Sequence, residues 1–161
     1  MVTETQTRPL LSEIASAVRA APDRETAIEA AMRRIAGHLP HYRWVGVYVL
    51  DGGMLNLGPY VGAKTEHTLI PVGRGVCGTA VAQNRNLIVE DVRALDNYLA
   101  CSLETRSEIV VLIRDPATGQ ILGQIDADGH EVGAFDASDE AFLAEVAGLL
   151  APRMWSTGGR E

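Results

Sequence analysis

The tripeptide Asp51-Gly52-Gly53 separates two segments in which apolar residues alternate, 42–50 and 54–60. Glycine accepts the positive φ that tight hairpins need, so the two segments are expected to pair as antiparallel strands. A second pair, 108–114 and 120–128, brackets the turn residues 115–119, and a short strand is expected at 87–90. Around these strands the apolar period changes to three or four. Leu10, Leu11, Ile14 and Val18 mark a helix from Pro9 to about residue 20. Ala27, Ile28, Ala31, Met32 and Ile35 mark a second helix, which Asp23 can cap. A short helix is expected over 76–83, starting around Cys77. A closing helix, capped by Asp136 or Ser138, runs to about residue 155 with Phe142, Val146, Leu149 and Leu150 inward. The pattern predicts an α+β fold: a central antiparallel sheet with helices on one face. The loops at 61–75 and 91–107 would then roof a pocket on the other face. Residues 9–155 read as one domain, with flexible tails at 1–8 and 156–161.

The chain has 161 residues, enough to bury a core without a disulfide or metal staple. Lys plus Arg number 14 against 21 Asp plus Glu, a net charge of −7. That balance argues against nucleic acid or an anionic membrane as a partner, since both recruit clustered positive charge. The longest strongly apolar run, 109–113, is too short to span a bilayer, and the polar N-terminus lacks a signal-peptide core. A soluble, cytoplasmic protein is expected. In a reducing compartment the two cysteines, Cys77 and Cys101, are inert buried thiols or redox-active ones. The four histidines lie without zinc-ligand spacing, and no cofactor is indicated.

Cys101 falls in a stretch without helix or strand periodicity, with Arg106 near enough in sequence to favour a thiolate. Cys77 follows Gly73-Arg-Gly-Val at a helix start, where free N–H groups stabilise negative charge. Taken singly, each reads first as a small buried hydrophobe. Asp126 and Asp128 stand two apart in an apolar strand and so share a face; Glu108 can approach them across the hairpin. Converging carboxylates raise at least one pKa and make a proton donor. They also suit a substrate ammonium, a Ca²⁺ or Mg²⁺ ion, or merely a solvated strand end. Trp44 and Tyr48 project to one face, as an aromatic wall or as ordinary core. His67 lies in a polar loop with no assigned role.

Trp44-Val-Gly-Val-Tyr48, Gly73-Arg-Gly-Val-Cys-Gly78, Ala100-Cys101, Arg106-Ser-Glu-Ile-Val-Val111 and Leu122-Gly-Gln-Ile-Asp-Ala-Asp128 together resemble the free methionine-(R)-sulfoxide reductases, which are single GAF-domain proteins. The resemblance implies that Cys101 is the nucleophile toward the sulfoxide sulfur. It implies that Glu108, Asp126 and Asp128 protonate the oxygen and hold the substrate ammonium, and that Trp44 and Tyr48 wall the methyl end. It further implies Cys77 as resolving thiol, a thioredoxin-type reductant, and a homodimer through the N-terminal helices. Many members carry another cysteine ten positions before Cys77, where this chain has His67. Two other classes fit the residues: a GAF module that binds a small ligand without turnover, and a thiol redox switch. The absence of an output domain and the acidic pocket weigh against a cyclic-nucleotide sensor.

Overall fold

Helix formation begins further upstream than Pro9. In the computed structural model, which describes residues 1–95 and 103–155, helix α1 spans Glu4–Ala20. Thr3 caps it, its side chain accepting from the Gln6 N–H, while the Gln6 side chain returns to the Thr3 N–H. This capping box satisfies two first-turn donors and starts the helix ahead of Pro9, which lies inside it. Residues 1–8 are therefore not a loose tail: Val2 and Thr7 are buried. Helix α2, Arg24–His38, starts at Asp23, whose carboxylate accepts from the Thr26 N–H.

Strands β1 (Trp44–Asp51) and β2 (Met54–Val61) meet at Gly52 and Gly53, whose φ values of 59° and 80° are those of a two-residue hairpin turn. Strand β3, Leu69–Pro71, extends β2 within the segment expected as loop. At three residues, two of them exposed, it carries too little alternation to be read, and Pro71 suits a sheet edge. Then follow α3 (Gly75–Gln83), β4 (Leu87–Val89), β5 (Ser107–Arg114), β6 (Ile121–Gly129) and α4 (Ala137–Leu150). The sheet order is β3-β2-β1-β6-β5-β4, and every neighbouring pair is antiparallel.

The two faces carry different loads. Val45, Val47, Ile109, Val111, Ile125 and Ala127 pack against α1, α2 and α4 in the main apolar core. The alternate residues, Trp44, Tyr48, Val110 and Leu112, form a second cluster with Leu55, Ile70 and the α3 residues Val76, Cys77 and Ala80. The roof over this face thus includes a helix as well as the expected loop.

One carboxylate ties the helical face together. Asp139, fully buried, accepts from the Tyr42 hydroxyl at 2.9 Å and the Asp136 N–H at 3.1 Å, and contacts His41 Nε2 and the terminal ammonium, each at 2.8 Å. Burial pushes its carboxyl up, but His41, the ammonium and these donors together hold it well below the usual carboxylate range. Its stabilisation is present above the pKa of the unfolded chain and fades as pH falls toward the depressed folded value. Asp139→Ala is expected to cost roughly 2–3 kcal/mol at neutral pH, with the deficit shrinking in acid. Urea unfolding of both chains at pH 7 and near pH 3 measures it.

Candidate active site

The floor of the site is set by strand register. Glu108 on β5 lies directly opposite Asp128 on β6, and Val110 opposite Asp126. On the other side of β6, Trp44 faces Asp128, Gly46 faces Asp126 and Tyr48 faces Gln124. Paired residues in antiparallel strands project to one face, so three acids gather among apolar neighbours. Glu108 is 3% exposed, Asp126 0% and Asp128 1%, which removes the solvated strand end as an explanation.

The roof brings the sulfur. Cys77 lies in the first turn of α3, 5% exposed, and its Sγ donates to Glu108 Oε2 across 3.8 Å. This sulfur, an oxygen of Glu108 and an oxygen of Asp126 lie within 4.8 Å of one another. Two contacts fix the roof. Gln124 Nε2 donates to the Cys77 carbonyl at 3.0 Å, pinning the helix start to the sheet. At Gly78 a Cβ would sit 2.6 Å from the Pro71 carbonyl oxygen, so only glycine lets α3 close on the β3 segment. The Tyr48 hydroxyl donates to the His67 carbonyl at 2.8 Å and so anchors the intervening loop. A small cavity remains, lined by Tyr48, His67, Ile70, Arg74, Cys77, Glu108 and Asp126.

Burial is the main cause that lifts the Glu108 carboxyl well above the ordinary range; the charges of Asp126 and then Asp128 add to it. Burial likewise raises Asp126, with Glu108 and Cys77, as hydrogen-bond donors, working against the rise. Both shifts favour the protonated form, and Glu108, raised by both neighbouring aspartates as well as by burial, is favoured the more strongly.

The sequence-derived residues divide in three ways. Cys77, Glu108, Asp126 and Tyr48 meet around the cavity, with Asp128 beside Glu108. Trp44 shares their face, but its Nε1–H donates to the Ala63 carbonyl at 3.0 Å, and its ring stacks on Tyr60 rather than lining the cavity. Cys101 lies outside the described residues. Arg106, expected to favour its thiolate, pairs with Asp91 at 3.7 Å. Three cavity residues or supports were not singled out for a role: His67, Arg74 and Gln124. Gln124 had a signal, because it continues the two-residue alternation of Asp126 and Asp128 along β6. Arg74 had none, since its place depends on how α3 docks.

The GAF-domain family matches residues 23–154. The free methionine-R-sulfoxide reductase of Escherichia coli is 41% identical over 112 residues, which cover 70% of this chain and 66% of that protein, just under two thirds. The structure of the type II free methionine-R-sulfoxide reductase from Thermoplasma acidophilum superposes with a TM-score of 0.78 at 40% identity, over 81% of this chain and 92% of that one. This chain belongs to the free methionine-R-sulfoxide reductase family of GAF-domain proteins. Within this reductase family, the Neisseria meningitidis protein, solved in complex with its substrate, matches with a TM-score of 0.87 at 32% identity, over 99% of this chain and 95% of that one. The buried acids of β5 and β6 and the α3 thiol sit within the matched GAF-domain residues, with histidine at position 67. Among the described residues, no helix is long and apolar enough to cross a membrane.

Proposed function

We propose that this protein reduces free methionine (R)-sulfoxide to methionine by thiol chemistry. The observation that carries the reading is the burial of Glu108 and Asp126 together against the Cys77 sulfur. A protonated carboxyl beside an ionised one fits a substrate that needs both a proton at its oxygen and a partner for its ammonium.

In this reading the Cys101 thiolate attacks the sulfoxide sulfur. Glu108 protonates the oxygen as its bond to that sulfur breaks. The bond that Cys101 formed to the substrate sulfur breaks, the oxygen ends on Cys101 as a sulfenic acid, and methionine, now two electrons richer, leaves. Asp126 and Asp128 hold the substrate ammonium, and Tyr48 walls the thioether end. The Cys77 thiol then attacks the sulfenic sulfur, a disulfide forms, and the hydroxyl leaves as water. A thioredoxin-type dithiol supplies two electrons and two protons to restore both thiols. The reading also places the protein in a reducing compartment, the cytoplasm, and carries the pairing of two copies through the N-terminal helices.

The test is methionine formation from the free R-sulfoxide, followed with dithiothreitol and with thioredoxin. Cys77→Ser is expected to yield one methionine per chain in a rapid first turnover and then to lose thioredoxin-driven cycling. Undiminished cycling in that variant would exclude Cys77 as the resolving thiol. No methionine from the unaltered chain with either reductant would exclude the activity.

A further inference from the structure

The Cys77 sulfur and the Glu108 and Asp126 carboxylates form a donor set as well as a reaction site. Their ligand atoms lie within 4.8 Å of one another, and all three side chains are buried. A tetrahedral zinc ion, with sulfur at about 2.3 Å and oxygen at about 2.0 Å, holds such atoms roughly 3–4 Å apart. The Cys77 Sγ–Glu108 Oε2 separation is 3.8 Å, so little movement is needed to close the set.

A second observation points to a cation. Asp126 lines the small cavity, and both its oxygens are buried and accept no hydrogen bond from any described residue outside this cluster. A buried carboxylate in that condition is costly until positive charge reaches it. The donor chemistry selects which cation. Calcium and magnesium take six or more hard oxygen ligands, and this set is smaller and contains a thiol. One sulfur and two carboxylates suit a borderline ion, zinc above all.

We infer that Cys77, Glu108 and Asp126 bind Zn²⁺, which competes with the sulfoxide and withdraws the Cys77 thiol from redox cycling. Binding sends the Cys77 thiol proton and the proton held on Glu108 to solvent and transfers no electrons. The competition rests on the function proposed above; the binding does not.

The test uses the Cys101→Ser chain, in which Cys77 is the sole cysteine. Titrated with Co²⁺ as a spectroscopic stand-in for zinc, it is expected to bind one equivalent with a near-ultraviolet thiolate-to-cobalt band that Zn²⁺ abolishes. Adding Asp126→Asn is expected to weaken cobalt binding by more than the ~10–100-fold typical of losing a mere supporting partner. Glu108→Gln provides the same test should the first variant fail to fold. Cobalt binding without the sulfur band, or indifferent to both substitutions, overturns the inference. Free methionine (R)-sulfoxide is expected to raise the cobalt concentration required. A band that forms but ignores the sulfoxide upholds the metal site and removes the substrate from this pocket. No band, alongside normal methionine formation by the unaltered chain, overturns the metal site alone.

Discussion

Cys101→Ser is expected to lower methionine formation by at least ~10³-fold, to the limit of detection. The reason is redox capacity as much as nucleophilicity. A cysteine sulfur can accept the oxygen and become a sulfenic acid, the first step of its oxidation ladder. A serine oxygen has no comparable state to enter, so the substrate has nowhere to leave its oxygen. Dithiothreitol in excess would not rescue the variant, because it acts after this step. The loss should be confined to turnover. Thermal unfolding of the variant, and its binding of methionine sulfoxide by calorimetry, are expected to stay near those of the unaltered chain. Turnover retained in the serine variant would remove Cys101 from the chemistry.

The second large effect belongs to the floor of the site. Glu108→Gln is expected to lower kcat by about 10²-fold or more, the usual contribution of a positioned proton donor. Asp126→Asn should act chiefly on KM, through the lost partner of the substrate ammonium. The pH behaviour follows from the raised Glu108 pKa, caused first by burial and then by Asp126 and Asp128. Activity that needs the protonated carboxyl should fall as pH rises through that raised value, and this descending limb should vanish in Glu108→Gln. Stability should fall with rising pH as well, for a related reason. A carboxyl whose folded pKa exceeds its unfolded one destabilises the fold increasingly as pH climbs from the unfolded value to the folded one. Glu108→Gln, neutral throughout, should therefore unfold at higher urea than the unaltered chain at pH 8, with a smaller difference at pH 5. A variant less stable at pH 8 and unchanged in kcat would refute both roles of Glu108.

Much of this floor was legible before any coordinates. Asp126 and Asp128 had to share a face because strands alternate, and the turn at 115–119 brought Glu108 back toward them. The Gly52-Gly53 hairpin was equally plain, since few other dipeptides turn so tightly. The failures have local causes. Proline at a first helical turn is common, so Pro9 masked the capping box that starts α1 at Glu4. Strand β3 owes its existence to its partner β2 and has no pattern of its own. The roof was the least readable part. That Cys77 sits on Glu108, that Tyr48 grips the His67 peptide and that Arg74 borders the cavity all follow from how α3 docks. That docking rests on contacts distant in sequence, such as Gln124 to the Cys77 carbonyl.

The separation of floor from roof has a chemical consequence. Glu108, Asp126 and Asp128 are rooted in inner strands of the sheet, backed by the helical core. The residues at 67 and 77 belong to segments laid over that foundation. A sulfur carried on the covering can therefore change position without altering the strands that hold the acids, and at position 67 this chain carries histidine. In the proposed reaction, the route by which electrons arrive is thus separable from the groups that recognise the substrate.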